Sequence, residues 1–235
     1  MRLYDILGLL KNNKIKLVEK RQETSDSYLF SFQFKPELEW KAGQHGMFIF
    51  KDEKLDGGNF RPFSVASVKD ENVITILTKI GNTASGFKSK LKSMEVGDVI
   101  TLKGPFGGFY ISDYTRPMVM IAGGVGISPM RALLKDIDKK GVATDIRLLY
   151  IDSSEEYAFR EELEIIEKDN PNIRVHFLNN RKHLDDELLE FINAHNNNAV
   201  YFISGSPNIV KDIKNKIAVK GIKKRNIIND SFRGY

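Results

Sequence analysis

The chain has 235 residues, of which 41% are hydrophobic and 29% are charged, and its formal net charge is +5. This composition is ordinary for a globular protein, and the length is enough for one large core or two modest ones. The absence of cysteine excludes disulfides, cysteine-ligated iron–sulfur clusters and thiol nucleophiles.

The same composition limits the metals, partners and location that we expect. The four histidines include no i, i+4 pair, so we predict no metal site. Basic clusters such as residues 139–140 and 223–225 are interpreted as solvated surface, and no motif indicates a nucleic-acid partner. No apolar run approaches the roughly 20 residues that span a bilayer, and no signal-peptide pattern is present. We therefore expect a cytoplasmic location and no transmembrane segment.

Residues 1–13 are the first predicted element. Apolar residues Leu3, Ile6, Leu7 and Leu10 recur there at near-helical spacing, which indicates a short amphipathic segment. Such a segment would dock on the body of the protein or on a second subunit, and membrane contact is the less favoured alternative. The sequence leaves the oligomeric state open.

From residue 14 to about residue 113 the sequence changes to short alternating or β-branched runs. The predicted strands cover residues 15–20, 28–34, 47–50, 60–68, 73–78 and 99–103. Turn residues separate them. Six short strands at this spacing predict a closed antiparallel β-barrel.

The fourth predicted strand carries Arg61, Pro62, Phe63 and Ser64 in succession. An arginine can bind a pyrophosphate bidentately, and the Phe63 ring can lie against a flat heterocycle. The Ser64 hydroxyl can hydrogen-bond a ring nitrogen such as flavin N5. Because the same string is common in plain sheet, it indicates a cofactor only together with other motifs.

A second candidate anion site lies between the fifth and sixth predicted strands. A glycine turn there leads to Thr83, Ala84 and Ser85, and Phe87 and Leu91 then share one face of a helix. The free N–H groups and hydroxyls at such a helix start suit a pyrophosphate. An ordinary N-cap explains the segment equally well.

After residue 117 predicted strands and helices alternate. The strands are 118–122, 146–151, 175–178 and 200–204, and the helices are 130–137, 157–167, 185–195 and 209–219. This alternation predicts a parallel sheet with helices on both faces. Ligands of such sheets bind at the carboxyl ends of the strands.

A glycine-rich turn follows the first of these strands. Gly123, Gly124 and Gly126 would let the backbone approach a phosphate and direct its N–H groups inward. Ser128 can add a hydroxyl, and Pro129 is tolerated in the first helical turn. A plain strand-to-helix turn is the alternative interpretation.

Together these motifs resemble those of the ferredoxin–NADP reductase superfamily, the flavin-dependent NAD(P)H oxidoreductases, from about residue 14 to the C-terminus. Arg61-Pro62-Phe63-Ser64 resembles the Arg-x-Tyr-Ser flavin motif, Ala42-Gly43-Gln44-His45 the Pro-Gly-Gln-Tyr turn, Thr83-Ala84-Ser85 the second pyrophosphate contact, and Gly104-Pro105-Phe106-Gly107 the Gly-Pro-x-Gly motif. Residues 123–129 resemble the nicotinamide-nucleotide turn, Ser204-Gly205-Ser206-Pro207 the Cys-Gly-x-Pro motif, and Asp230-Ser231-Phe232 the C-terminal Glu-x-Phe motif.

The resemblance implies a six-stranded antiparallel FAD-binding β-barrel at residues 14–115 and a parallel-sheet NAD(P)-binding domain at residues 116–235. FAD is preferred to FMN because two groups of contacts address a pyrophosphate. The implied FAD contacts are Arg61, Pro62, Phe63, Ser64, Thr78, Thr83, Ala84, Ser85 and Phe232. The implied contacts of NADH or NADPH are Gly123, Gly124, Gly126, Ser128, Pro129, Asp152, Gly205 and Pro207.

The implied reaction is hydride transfer between NAD(P)H and flavin N5, with Ser64, Ser204 and Asp230 as catalytic residues. Three residues depart from the family pattern, since Phe63 replaces a tyrosine, Ser204 a cysteine and Asp230 a glutamate. Either Phe232 or Tyr235 would cover the flavin face and move during turnover, as a gate.

The nucleotide and the electron acceptor are the last expectations. Asp152, Glu155 and Glu156 slightly favour NADH because a carboxylate repels a 2′-phosphate, although Tyr157 and Arg160 with nearby serines could bind one. The expected acceptor is a separate acidic carrier such as ferredoxin or flavodoxin, which a basic protein attracts. The alternative is a non-enzymatic flavin-binding electron-transfer subunit or sensor within a larger complex, and reduction of free, diffusible flavin stays open.

Overall fold

The computed structural model describes residues 12–51, 53–81 and 83–232. The chain divides into two compact units, Met1–Tyr110 and Ile111–Tyr235, so the division falls just before the predicted boundary at residue 115. Most of the predicted amphipathic segment and the terminal Tyr235 lie outside the described residues. Asn12 and Asn13, which were assigned to that segment, belong instead to the first strand.

The first unit is a six-stranded antiparallel sheet with the strand order β4-β3-β6-β1-β2-β5. Its strands are β1 (Asn12–Gln22), β2 (Ser27–Gln33), β3 (His45–Ile49), β4 (Phe60–Ser64), β5 (Ile74–Lys79) and β6 (Val99–Phe106). The two edge strands meet just beyond β4, where the N–H of Ala66 donates to the carbonyl of Thr75 at 2.8 Å. The N–H of Thr75 donates in turn to the Ser67 hydroxyl at 3.0 Å. These bonds join the edges, as the barrel prediction requires.

Strand β4 is shorter than the predicted strand 60–68. Its ladder with β3 ends at the pair His45 and Ser64, and Ala66 and Ser67 then turn to bond Thr75. The apolar residues that follow Ser64 are therefore buried without being part of the strand. For this reason the hydrophobic pattern predicts a strand that is too long.

Large apolar side chains fill the inside of the barrel because alternate residues of each strand face inward. The Phe48 ring lies 5.8 Å from Phe32 and 5.5 Å from Phe63. Helix α1 (Gly86–Ser93) packs on this core through Phe87 and Leu91, the pair that the sequence placed on one helix face. This core fixes β4 and the start of α1 relative to each other.

The second unit is a parallel sheet with the strand order β11-β10-β7-β8-β9. Its strands are β7 (Met118–Gly123), β8 (Ile146–Ile151), β9 (Ile173–Leu178), β10 (Val200–Gly205) and β11 (Ile227–Ser231). Its helices are α2 (Ile127–Lys140), α3 (Arg160–Asp169), α4 (Arg181–His195) and α5 (Pro207–Val219). The strand order reverses between β7 and β10, and ligands of open α/β sheets bind at such a point.

Several features of the second unit differ from the sequence-based prediction, and helices α2 and α4 begin at Ile127 and Arg181, before the predicted residues 130 and 185. Strand β11 was not predicted, because its sequence Ile-Ile-Asn-Asp-Ser has only two apolar residues and the strand forms through pairing with β10 at the sheet edge. Helix α3 begins at Arg160 rather than at residue 157, since Phe159 has a left-handed φ of 62°. Among the described residues, no helix has the length and apolarity needed to cross a membrane.

Candidate functional site

Arg61 is the first candidate cofactor contact of the barrel unit. Its Nη1 donates to the carbonyl of Phe60 at 2.7 Å, and its Nη2 donates to the carbonyl of Gly57 at 2.9 Å. Its guanidinium carbon lies 5.7 Å from the centre of the Phe87 ring. No carboxylate of the described residues forms an ion pair with Arg61. A fixed guanidinium that has no ion-pair partner among the described residues fits a pyrophosphate.

The start of helix α1 adds a second cation beside Arg61. The Ser85 hydroxyl accepts the N–H of Lys88 and caps the helix, with the exposed Thr83 and the half-buried Ala84 before it. Lys88 Nζ donates to the carbonyl of Lys79 at 2.9 Å. Burial, and then the nearby Arg61, lower the Lys88 pKa, while Asp26 opposes the shift. Two cations therefore converge on a helix N-terminus, the arrangement that a diphosphate neutralises.

Sequence analysis missed Lys88, although its position carried a signal. A lysine in the first turn of a helix lies at the positive end of the helix dipole, where a cation is unfavourable. Glycine at position 86 allows the preceding loop to pack here, since a Cβ would lie 2.8 Å from the backbone nitrogen of Asp56. The loop, the helix start and β4 thus form one compact corner.

The remaining predicted flavin residues are more buried than the motif indicated. The side chain of Phe63 is 8% exposed and packs among the core rings, 6.0 Å from Phe87. Ser64 and Thr78 are also buried, whereas Pro62 is exposed on the outer side of β4. Phe63 is therefore a core residue in this structure, and its stacking on a flavin stays a prediction.

His45 lies directly opposite Ser64 in the ladder between β3 and β4. Its ring packs edge-on against Phe106, with the ring centres 4.6 Å apart. A Cβ on Gly107, which has a φ of 108°, would lie 2.7 Å from His45 Cε1. The Gly-Pro-x-Gly segment therefore packs on His45, the residue opposite Ser64 in the ladder. The motifs alone did not indicate this contact.

In the parallel-sheet unit, the glycine turns after β7 and β10 touch each other through their backbones. A Cβ on Gly126 would lie 2.3 Å from the carbonyl oxygen of Ser204, and one on Gly205 would lie 3.4 Å from the backbone nitrogen of Gly123. A Cβ on Gly123 would lie 2.6 Å from Ile209 Cδ1. A side chain at Gly126 would force the turns apart, whereas a Cβ on Gly205 would meet the other turn at an ordinary contact distance and one on Gly123 would meet only the flexible end of Ile209. Gly126 is therefore the glycine that this close approach requires.

The other residues of these turns stabilise the conformation of the backbone. The Ser128 hydroxyl donates to the carbonyl of Val125 at 2.8 Å and is buried, so it closes the turn, and its contact with a phosphate stays a prediction. Gly124 has a left-handed φ of 53°, and Pro129 lies in the first turn of α2. Pro207 opens helix α5.

Ser204 and Asp230 are brought together by the register of β10 and β11. They are direct neighbours across the parallel ladder, and the N–H of Phe232 then donates to the carbonyl of Gly205 at 3.0 Å. Ser204 is fully buried, and its Oγ has no hydrogen-bond partner among the described residues. A buried hydroxyl without a partner is unfavourable unless a ligand satisfies it. The residues therefore fit a polar ligand group at the switch point.

Asp152 follows β8 at the same edge of the sheet. Its Oδ1 accepts the N–H of Ser154 at 2.9 Å. Burial, and then the carboxylates of Glu155 and Asp152, raise the pKa of Tyr157. Arg160, a candidate phosphate contact, pairs with Glu164 at 2.8 Å. The surroundings of Asp152 are thus anionic, and the nearby arginine is already paired.

Comparisons with known proteins match the two units separately. Residues 14–111 match the family model described as Oxidoreductase FAD-binding domain, and residues 120–215 match the one described as Oxidoreductase NAD-binding domain. The chain is 36% identical over 92 residues to the toluate 1,2-dioxygenase electron transfer component of Pseudomonas putida, which is 38% of this chain and 27% of that protein. It is 25% identical over 213 residues to a subunit of the Na(+)-translocating NADH-quinone reductase of Idiomarina loihiensis, covering 80% of this chain and 52% of that protein.

Solved structures share the fold. Ferredoxin-NADP+ reductase from Plasmodium falciparum matches with a TM-score of 0.78 and 21% identity, over 93% of this chain and 95% of that one. Amycolatopsis cytochrome P450 reductase matches with a TM-score of 0.82 and 17% identity, over 94% and 70% of the two chains. The chain spans about a quarter of the Pseudomonas relative and about half of the Idiomarina one.

Proposed function

This chain belongs to the ferredoxin–NADP reductase superfamily, and we propose that it is an FAD-dependent oxidoreductase that passes electrons between NAD(P)H and a separate acceptor. The observation that carries the proposal is the buried Ser204 hydroxyl without a partner among the described residues, set between two glycine turns and beside Asp230. A nicotinamide amide has the donor and acceptor that such a hydroxyl needs.

The barrel unit would hold FAD through its diphosphate. Arg61 and Lys88 would bind the phosphate oxygens, and the backbone N–H groups from Thr83 to Ser85 would complete the site. Ser64 would orient the flavin ring from the ladder position opposite His45. The bound flavin would accept a hydride at N5, chemistry that belongs to the cofactor. The protein supplies position and charge, and the contacts of Pro62, Phe63, Thr78 and Phe232 stay predictions.

The parallel-sheet unit would hold the nicotinamide nucleotide at the switch point. Backbone N–H groups of Gly124 and Gly126 would face its phosphates, while Gly205 keeps the second turn close enough to contribute. Ser204 and Asp230 would orient the nicotinamide from adjacent strands. Ser128 would position these groups through the turn that it closes, and its direct contact with the nucleotide stays a prediction.

NADH is the proposed nucleotide. Asp152 would accept hydrogen bonds from a ribose 2′-hydroxyl, and its charge with that of Glu155 would repel a 2′-phosphate. Arg160 is engaged by Glu164 and offers less attraction for that phosphate.

The proposed acceptor is an acidic electron-carrier protein such as ferredoxin or flavodoxin. The net charge of +5 would attract it. One relative is the electron transfer component of a dioxygenase and another is the reductase component of the terephthalate 1,2-dioxygenase of Comamonas, which supports transfer to a partner protein. A second candidate is a non-enzymatic subunit of a larger complex; its place in a complex is supported by the predicted amphipathic segment at residues 1–13 and by the likeness to the quinone-reductase subunit of Idiomarina loihiensis.

The test is an absorbance spectrum of the purified chain followed by anaerobic titration with NADH and, separately, with NADPH. We expect a flavin band that NADH bleaches at the lower concentration. A protein that takes up no added FAD would contradict the proposal. A yellow protein that neither nucleotide reduces would favour the non-enzymatic subunit.

A further inference from the structure

A cavity of about 570 Å³ opens at the edge of the parallel sheet opposite the glycine turns. Its polar lining consists of Thr115, Arg116, Asn197, Asn198, Arg225 and Asn226. They come just before β7, β10 and β11, hence at the amino ends of these strands. Strands of this length separate the cavity from the glycine turns by roughly 17–20 Å, so the two sites are distinct.

Arg116 forms a fixed wall of this cavity. Its Nε donates to the carbonyl of Asn198 at 2.9 Å. Its Nη2 lies 2.7 Å from the carbonyl oxygen of Ala199 and 3.0 Å from Asn226 Oδ1. Its Nη1 has no hydrogen bond or ion pair with any residue that the structure describes. The guanidinium is thus held in place and keeps one nitrogen available, which is the pre-organisation that anion binding favours.

The side chains of Asn197 and Asn226, which lie next to Arg116, already have hydrogen-bond partners within the protein. Asn226 is 3% exposed, and its Nδ2 donates to the carbonyl of Asn197 at 2.9 Å. Asn197 Oδ1 accepts the N–H of Lys223 at 2.8 Å. The wall is therefore formed without a ligand, and the exposed Arg225 and the Asn198 amide add donors at its rim.

The charge of the cavity is positive. Among the described residues, neither aspartate nor glutamate lines it, and Lys223 and Lys224 precede Arg225 in the chain. One carboxylate that acts on Arg116 is that of Asp113, whose pKa is lowered first by hydrogen bonds from Thr115 and also by Arg116. Asp113 is engaged by Thr115, at 2.7 Å from its hydroxyl. A net positive charge remains at the cavity.

We propose that this cavity binds a small polyanion bearing phosphate or carboxylate groups, with Arg116 and Arg225 as the charged donors and Asn198 as a neutral one. The guanidinium of Arg225 can donate to two oxygens of either group, and the free Nη1 of Arg116 can donate to one oxygen. No aromatic ring of the described chain lines the cavity, so the ligand is recognised through its oxygens and not by stacking of a base.

The test is a titration of the full chain with inorganic phosphate and with citrate at constant ionic strength, followed by the amide signals of the protein in NMR spectra. We expect saturable shifts of the amide signals at residues 115–116, 197–198 and 225–226 with both anions. NADH added afterwards should leave these shifts unchanged because its proposed site lies at the other edge.

The matched variants are Arg225→Gln and Lys168→Gln, which remove the same charge from exposed residues in different places. We expect Arg225→Gln to weaken citrate binding about tenfold, as for loss of a charge-assisted hydrogen bond, and Lys168→Gln to leave it unchanged. Shifts that do not saturate, or equal binding by both variants, would overturn the proposal. Failure of flavin reduction would bear on the proposed function and not on this site.

Discussion

The two units would hold an anionic cofactor in different ways. The barrel unit presents charged side chains, Arg61 and Lys88, each held by a backbone carbonyl. The parallel-sheet unit presents backbone, and the absence of a side chain at Gly126 makes room for the close approach of its turns. A side-chain site can lose one cation and keep part of its affinity, whereas a backbone site is lost when any Cβ separates its turns. Substitutions in the two units should therefore differ in how much of the cofactor affinity each one removes.

The largest effect is expected for Gly126→Ala. Its Cβ would meet the carbonyl of Ser204 at 2.3 Å, and backbone can yield only by moving a strand end. We expect flavin reduction by NADH to fall at least about 100-fold, with a loss of roughly 1–3 kcal/mol in unfolding free energy, as for overpacking. Stopped-flow absorbance and thermal unfolding measure both. Gly108→Ala, where a Cβ meets nothing within 4 Å, is the control. Normal kinetics in Gly126→Ala would show that the turns need not touch.

A graded loss should follow from the two cations of the barrel. Arg61→Ala should weaken FAD binding by roughly 2–3 kcal/mol, and Lys88→Met by about 1 kcal/mol, since the arginine binds bidentately and the lysine as a point charge. Fluorescence titration with FAD gives both affinities. Lys90→Met, on the same helix but paired with Glu53, should bind FAD normally. Equal losses for all three variants would mean that the overall positive charge attracts the cofactor, and not the specific positions of Arg61 and Lys88 at the start of α1.

A smaller effect is expected at Asp152, where a side chain acts within the backbone-built unit. Asp152→Asn should reduce kcat/KM for NADH about tenfold and raise that for NADPH, because the charge that repels a 2′-phosphate is removed. Steady-state rates with each nucleotide test this. Glu161→Gln removes an exposed charge from helix α3 and should keep the original preference. An unchanged preference in Asp152→Asn would place nucleotide selection elsewhere.

The smallest effect concerns two buried hydroxyls of the same unit. Ser204→Ala removes a hydroxyl without a partner among the described residues and should leave the unfolding free energy unchanged or raise it by up to about 1 kcal/mol, while hydride transfer slows about threefold. Ser128→Ala removes the bond to Val125 and should lower the unfolding free energy by about 1 kcal/mol. Denaturant unfolding of the two variants measures both changes in unfolding free energy. Marked destabilisation by Ser204→Ala would mean that its hydroxyl is already satisfied in the folded protein.

The sequence was sufficient for those parts of the fold that depend on local pattern. The barrel strands, the alternation of strands and helices and the glycine turns all follow from periodicity and from turn residues. Strand β11 could not be predicted, because a short polar strand is stabilised by its neighbour β10. The pairs Ser204 with Asp230 and His45 with Ser64 depend on register, which a single sequence does not specify.

The predicted roles of individual site residues fared differently from the fold. Phe63 supplies an aromatic ring at the tyrosine position of the flavin motif. It is nevertheless buried in the core, because its position in the strand faces the other rings. Ser128 satisfies the phosphate motif but bonds within its own turn. Lys88 matches no motif and yet lies beside Arg61. A motif thus identifies where a site lies, while packing decides which side chains remain available to it.

The late position of β11 in the chain has a consequence for synthesis. All strands of the barrel precede residue 107, whereas the strand that places Asp230 beside Ser204 ends at residue 231. At about 5–20 residues per second, a ribosome needs roughly 6–25 seconds to make the intervening segment. The barrel can therefore fold and take up FAD while the nucleotide site still lacks its edge strand. The order of the elements in the gene would in this way set the order in which the two cofactors are acquired.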